Sequence, residues 1–157
     1  MNHFSAPMSA KPGLIVILAV LMSGCGLLGP SSTDVSAELA FCSDEVNRYR
    51  AAAGLRALER SAALEAYAAE SARVDHAANT PHQHFTQTNG GGVALAETEL
   101  LSWSTRDVHS VIERGVRGMW SERPTGEHYV ILAGDYSQIG CGVFLTSEGV
   151  TVAQGFR

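Results

Sequence analysis

The spacing of apolar residues predicts a helix at the start of the folded region. Its apolar residues recur at steps of three and four, at Leu39, Cys42, Val46, Tyr49 and Ala53. Side chains at this spacing lie on one face of an α-helix and are expected to face a core. Gly54 follows them and is expected to end the helix, because glycine readily adopts the left-handed conformation found after helix C-termini.

Two further helices are predicted along the chain. The second begins near Ser61, and its many alanines favour helix formation and allow close packing. The third begins at residues 104–107, where Ser-Thr-Arg-Asp resembles a capping box with Asp in the place of Glu or Gln. Its apolar stripe comprises Val108, Ile112, Gly115, Val116 and Met119. The helix is expected to have ended before Pro124.

The remaining segments are predicted as one long loop and several strands. Residues 79–102 are rich in Pro, His, Gln, Thr and Gly, and a loop of this length often carries function. The short apolar run at 129–132 favours a strand, and residues 138–145 and 150–156 flank a turn and indicate a hairpin. Helices first and strands last indicate an α+β layered fold rather than βαβ repeats.

The first 24 residues have the pattern of an export signal. Lys11 is their only charged residue, and residues 14–22 form an apolar run that is too short to span a bilayer. The sequence Met22-Ser23-Gly24-Cys25 resembles a bacterial lipobox, which implies cleavage before Cys25 and lipid attachment to it. Ordinary secretory cleavage nearby is the alternative.

We therefore expect a lipoprotein signal peptide over residues 1–24, a tether over 25–36 and a folded domain over 37–157. The expected location is the bacterial cell envelope, outside the cytoplasm, with the lipid anchor holding the chain to a membrane. If Cys25 carries the lipid, Cys42 and Cys141 remain. An even pair of cysteines in an oxidising compartment favours a disulfide between them.

Composition excludes several classes of protein. The chain has 157 residues, of which 45% are apolar and 17% charged, so it can build one domain with its own core. Its net charge is −5 and it has no run of basic residues, so nucleic-acid binding is not expected.

Candidate chemical groups lie at the ends of the predicted elements. They are His82, His84, Glu97, Glu122 and His128. Two converging imidazoles and two carboxylates would suit Zn²⁺ or a similar ion, or the carboxylates would orient the imidazole rings. Their spacing alone does not show convergence, because it includes no close ligand pair such as His-x-x-x-His. The alternative is a set of solvated polar residues in loops.

Five short stretches carry a resemblance to a known family. In chain order they are Asn47-Arg48-Tyr49-Arg50, Ala96-Glu97-Thr98, Met119-Trp120-Ser121-Glu122, His128-Tyr129 and the stretch from Tyr136 to Gly142. Together they resemble the CAP superfamily, also called SCP-like, which includes cysteine-rich secretory proteins, insect antigen 5 and plant pathogenesis-related proteins. The resemblance implies an α+β fold, a three-layer α-β-α sandwich with a central antiparallel sheet.

The resemblance also implies a cleft tetrad made of His84, Glu97, Glu122 and His128. In the family the two histidines can hold a divalent metal, often zinc, so His84 and His128 are the expected metal ligands. His84 is preferred over His82 because Phe85 follows it and could anchor it. Thr98 and Glu127 depart from the family pattern, in which Asn and Gly stand at these positions.

The expected function is a lipid-anchored, extracytoplasmic binding module with a metal-capable cleft. Its ligand is an unidentified small molecule, lipid or protein. Two alternatives remain: a metal-assisted hydrolase with Glu97 or Glu122 as general base, and a structural envelope protein with a vestigial tetrad. No Gly-x-Ser-x-Gly or His-Glu-x-x-His motif is present, and most members of the family resemble non-enzymatic binders. Binding is therefore favoured over catalysis.

Overall fold

A computed structural model describes residues 35–157, so the expected signal peptide over residues 1–24, and Cys25, lie outside the described residues. The elements, in chain order, are α1 Ser36–Ala52, β1 Glu59–Arg60, α2 Ala62–Ala78, α3 Gln83–Thr88, a 3-10 turn Asn89–Gly92, β2 Ala96–Trp103, α4 Val108–Ser121, α5 Glu127–Leu132, β3 Gln138–Leu145 and β4 Val150–Phe156. No helix in this part of the chain is long and apolar enough to cross a membrane.

The strands form one sheet in the order β1-β3-β4-β2. β3 and β4 form an antiparallel hairpin, and β2 pairs antiparallel with β4, with Glu97 opposite Gly155 and Glu99 opposite Ala153. The short β1 adds to the other side of β3 in parallel. β2 is therefore an edge strand, and its start faces the helices that carry the candidate site.

Helices cover both faces of this sheet, which confirms the α-β-α sandwich. Alternate residues of β4 point to opposite faces, as in any strand. Val152 and Phe156 belong to the main core, which includes residues of α1 and α4, whereas Ala153 packs against Ala68 and Ala72 of α2. The helix α2 lies very close to the sheet: a β-carbon at Gly142 of β3 would overlap the backbone of Ala68.

A disulfide joins Cys42 of α1 to Cys141 of β3, as the cysteine count indicates. Both residues are fully buried, and 99 positions of sequence separate them. The bond ties the helix layer on one face of the sheet to a central strand.

The predicted helices α1, α2 and α4 and the β3–β4 hairpin are confirmed, the hairpin with the expected bounds. α4 begins at Val108 rather than at residue 104, because the Asp107 side chain accepts a hydrogen bond from the Ser110 N–H and caps the helix there.

Two predictions about secondary structure are wrong. Residues 79–102 are not one loop: they contain α3 and most of β2. The charges of Glu97 and Glu99 hide the strand pattern, although both side chains are buried. Residues 129–132 belong to the helix α5 instead of a strand. An apolar run of this length does not distinguish a strand from a short helix by periodicity.

Candidate functional site

A cleft of about 290 Å³ opens between the segment after α2, the start of β2 and the helix α5. Two imidazoles and two carboxylates line it, together with an apolar wall. The lining residues are His82, Phe85, Leu95, Ala96, Glu97, Glu127, His128 and Ile131. The cleft therefore combines groups that can bind a cation with a surface that can bind an apolar group.

The first imidazole–carboxylate pair is His82 with Glu97. The Nδ1 atom of His82 lies 3.1 Å from Oε1 of Glu97, whose side chain is fully buried. A carboxylate only accepts hydrogen bonds, so the ring carries its proton on Nδ1 and Nε2 keeps a free lone pair when the ring is neutral. The hydrogen bond to Glu97 raises the pKa of His82 above its ordinary value, although burial acts in the opposite direction.

The second pair is His128 with Glu122. The Nδ1 atom of His128 lies 2.8 Å from Oε1 of Glu122, and the backbone N–H of His128 donates to Oε2 at 3.3 Å. Glu122 is the C-cap residue directly after α4, and His128 lies in the first turn of α5. Glu122 stands behind His128 and does not itself line the cleft. The carboxylate again fixes the ring with its proton on Nδ1.

The histidine preferred from the sequence, His84, lies elsewhere. Its Nδ1 atom lies 2.9 Å from Oγ of Ser71, and its ring packs against Tyr67 at 4.9 Å between centroids. The structure thus places His82 beside Glu97, where the resemblance led us to expect His84. Glu97 and His128 line the same cleft, and Glu122 is hydrogen-bonded to His128.

A network of buried carboxylates lies directly behind His82. The exposed fractions of Asp75, Glu97 and Glu99 are 0%, 5% and 8%. Burial raises the pKa of Glu99 to about 7 and also raises the pKa of Asp75. Three carboxylate oxygens, Asp75 Oδ2, Glu97 Oε2 and Glu99 Oε1, are buried without a hydrogen-bond partner among residues 35–157.

The sequence indicates neither Asp75 nor Glu99 as part of the site, since the resemblance favours Glu97 over Glu99 as the first carboxylate. Glu99 follows Glu97 by two positions, and residues two apart on a strand point to the same face. That spacing would have placed both carboxylates together once β2 was recognised as a strand. Asp75 gave no such signal, because it lies on another element.

The imidazole donors among the residues that line the cleft are the Nε2 atoms of His82 and His128. In the part of the chain that the structure describes, no group of three or more His, Cys, Asp or Glu side chains is arranged to hold a metal. A metal ion in the cleft would therefore take at most two of these side chains as ligands. A histidine whose second ring nitrogen donates to a carboxylate is the usual form of a metal-binding histidine, so both residues fit this role.

Two larger grooves lie at the far end of β2. One, of about 450 Å³, is lined by Ser102, Trp103, Ser104, Thr105 and Arg114. The other, of about 330 Å³, is lined by His76, Asn79, Ser102, Glu148 and Gly149. Neither of these lining sets contains a hydrogen-bonded imidazole–carboxylate pair, and a third groove of about 370 Å³ beside Glu45 and Arg48 is lined by no histidine. The smaller cleft is therefore the better candidate for chemistry.

Comparisons with known proteins agree with this architecture. The model of the cysteine-rich secretory protein family, CAP, matches residues 43–156. Comparison with curated proteins gave no significant match.

Two solved structures are similar in fold. An outer surface protein of Borrelia burgdorferi aligns with a TM-score of 0.55 and 18% identity, over 79% of this chain and 95% of that one. A cysteine-rich secretory protein of Staphylococcus aureus subsp. aureus Mu50 aligns with a TM-score of 0.52 and 14% identity, over 82% of this chain. The alignment spans 40% of the staphylococcal protein. At these identities the likeness shows the fold alone.

Proposed function

The chain belongs to the cysteine-rich secretory protein (CAP) family, and on that premise we propose that it is an extracytoplasmic binding module. In this proposal its cleft holds one divalent metal ion between His82 and His128, and zinc is the ion we expect. The observation that carries the proposal is that two imidazoles line one cleft and that each is hydrogen-bonded to its own carboxylate.

The pairing supports metal binding for a specific reason. Glu97 and Glu122 each accept a hydrogen bond from Nδ1, so the neutral rings present unprotonated Nε2 atoms. Such carboxylates also raise the basicity of the ring and hold its orientation. Zinc bound there would supply a Lewis acid that polarises an oxygen of a bound ligand. The protein itself binds the ion, fixes the ring proton on Nδ1 and shapes the cleft.

The same contacts favour binding over hydrolysis. A general base must be free to take a proton from a water molecule. Both oxygens of Glu122 accept hydrogen bonds from His128, Oε1 of Glu97 is bonded to His82, and Oε2 of Glu97 is buried away from water. We therefore assign the two carboxylates the role of orienting groups.

The ligand is expected to have an apolar part. Phe85, Leu95 and Ile131 line one wall of the cleft, and Leu95 is 67% exposed. A ligand whose apolar part covers a solvent-exposed leucine at the rim of a cleft gains binding free energy from the burial of that surface. The expected classes of natural ligand are a small molecule, a lipid and a protein.

The proposed location outside the cytoplasm rests on the disulfide and on the lipobox-like sequence. Disulfides persist in oxidising compartments, and Cys42–Cys141 is formed in the fold. Lipid anchoring at Cys25 is tested by expressing the whole chain and its Cys25→Ser variant in a bacterial host. We expect the unmodified chain in the membrane fraction with a lipid-sized mass increase at its N-terminus, and the variant without that increase. An unlipidated, released wild-type chain would contradict the anchoring proposal.

The metal proposal is tested by titrating Zn²⁺ into the metal-free domain and its variants in a calorimeter. We expect about one ion per domain for the wild type, and loss of binding for His82→Ala and for His128→Ala. The matched control is His84→Ala, which removes an imidazole two positions from His82 that points to Ser71. It is expected to bind zinc as the wild type does. Unchanged binding in a His82→Ala/His128→Ala double variant would contradict the proposal.

A further inference from the structure

The segment that carries His82 is held by two buried carboxylates that come from different elements. The backbone N–H of His82 donates to Oε2 of Glu99 on β2 at 3.0 Å. The backbone N–H of His84 donates to Oδ1 of Asp75 on α2 at 2.7 Å. Two alternate residues of one short segment are thus fixed from the sheet on one side and from a helix on the other.

From this arrangement we infer that Glu99 and Asp75 are positioning residues, which hold the backbone of residues 82–84 so that His82, and not His84, enters the cleft. The inference rests on the proposed function of the cleft and adds to it the residues that set its first imidazole. Neither carboxylate lines the cleft, so both act through the backbone of residues 82–84, Glu99 at His82 and Asp75 at His84.

The backbone conformation of His82 shows why such support is needed. Its φ of 57° and ψ of 18° lie in the left-handed region, which costs free energy for any residue other than glycine. The side chain of His82 caps no backbone group of α3. The hydrogen bond from its own N–H to Glu99 compensates for this conformation, and the conformation directs Nδ1 toward Glu97.

The burial of the carboxylates argues for the same role. A buried carboxylate is costly unless hydrogen bonds satisfy it, and here one oxygen of Asp75 and one of Glu99 has no partner among residues 35–157. An apolar side chain of similar size would be cheaper at either position. An apolar side chain, however, could not accept a hydrogen bond from the backbone N–H of residue 82 or 84.

The inference also explains the choice between the two histidines. With its N–H held by Asp75, His84 directs its ring to Ser71 and Tyr67 on α2. With its N–H held by Glu99, His82 directs its ring to Glu97 and the cleft. A shift of the backbone at residues 82–84 would exchange or remove the hydrogen-bond partners of the two imidazole rings.

The test compares two substitutions of Glu99. Glu99→Gln keeps an oxygen that accepts the N–H of His82, whereas Glu99→Leu removes it at similar volume. We expect Glu99→Leu to weaken zinc binding about 10-fold and Glu99→Gln to stay within about 3-fold of the wild type. Glu113→Leu on the exposed face of α4 is the matched control and is expected to bind as the wild type does.

A second readout does not depend on zinc. Long-range ¹H–¹⁵N spectra of the metal-free domain are expected to show His82 protonated on Nδ1 in the wild type and in Glu99→Gln. In Glu99→Leu this preference is expected to be lost, while His128 keeps its signals. If Glu99 had only a structural role, Glu99→Leu would lower the stability of the domain without changing the tautomer of His82.

The outcomes separate this inference from the proposed function. A wild type that binds no zinc overturns the proposed function, and the tautomer experiment still decides the role of Glu99. If Glu99→Leu has the wild-type tautomer and zinc affinity, the inference is wrong. If Glu99→Leu does not fold, amide exchange in the wild type decides: slow exchange at His82 and His84 supports the hydrogen bonds, and exchange at the rate of a free loop overturns the inference.

Discussion

Gly126 lies against the side chain of Glu122 so closely that a β-carbon at position 126 would overlap it. The N–H of Gly126 also donates to the backbone oxygen of Glu122 at 3.0 Å. These two contacts hold Glu122 in the turn between α4 and α5, where its carboxylate accepts hydrogen bonds from the ring and the backbone N–H of His128. The absence of a side chain at position 126 is part of what positions the second imidazole.

The first prediction follows from this contact. Gly126→Ala should displace the Glu122 carboxylate and weaken zinc binding about 10-fold, because a metal-binding histidine depends on the acceptor of its second nitrogen. Zinc titration measures the loss. Gly118→Ala is the matched control: its β-carbon would meet open space on α4, so it should leave zinc binding unchanged and stabilise the helix by about 0.5–1 kcal/mol. Equal affinity in both variants would contradict the prediction.

The second prediction concerns the pH dependence of zinc binding. Protons compete with zinc for Nε2, and the hydrogen bond to Glu97 raises the pKa of His82 above 6.5. Zinc affinity should therefore begin to fall on acidification at a pH above 6.5 and be lost below about pH 6. Glu97→Gln should shift this loss to lower pH, since the neutral amide favours the protonated ring less.

The measurement is a zinc titration at several pH values, paired with NMR titration of the imidazole signals. His76→Ala, which changes a ring bonded to Thr151 in another groove, is the control and should leave the profile unchanged. A zinc affinity that is constant between pH 5 and pH 8 would show that imidazoles are not the ligands.

The sequence was sufficient for the long amphipathic helices and for the hairpin, because their periodicity extends over many residues. It was not sufficient for β2, where Glu97 and Glu99 occupy buried positions that usually hold apolar residues. Strand pairing with β4 and the contacts with the 82–84 segment stabilise these side chains, and neither is visible in a local pattern. The strand was thus hidden by the residues that form the site.

The choice of His82 or His84 as the first imidazole of the cleft could not be made from the sequence either. His82 and His84 are two positions apart, and the sequence offers only the neighbouring Phe85 to choose between them. Phe85 does line the cleft, but the ring that enters beside it belongs to His82. The choice depends on the left-handed backbone of His82 and on hydrogen bonds from remote elements, so it could not be made from local sequence.

The third prediction concerns the disulfide. Cys42 and Cys141 close a loop of 99 residues, and such a cross-link stabilises mainly by restricting the unfolded chain. Reduction, or the double substitution Cys42→Ala/Cys141→Ala, should lower the free energy of unfolding by about 2–4 kcal/mol. Urea unfolding with and without reductant measures it, and the double variant should not respond to the reductant. Two thiols that react with an alkylating agent in the folded, oxidised protein would contradict the bond.

The fourth prediction concerns Glu99 and the stability of the metal-free domain. Burial raises its pKa from 4.5 to about 7, so between these values the folded protein binds a proton that the unfolded chain has released. The unfolded state binds fewer protons there, and the contribution of Glu99 to stability therefore falls as the pH rises from about 4.5 to about 7. Above pH 7 the carboxylate is charged in both states, and its burial is fully unfavourable.

Glu99→Gln removes this charge and keeps the acceptor for the N–H of His82. Relative to the wild type it should be more stable at pH 8 by about 2–3 kcal/mol, because a rise of the Glu99 pKa from 4.5 to about 7 corresponds to a free energy of about this size. At pH 4.5 the two proteins should differ little. Urea unfolding at pH 4.5, 6 and 8 gives the difference, in which other titrating groups cancel. A difference that does not grow with pH would mean that Glu99 carries an ordinary, solvated carboxylate.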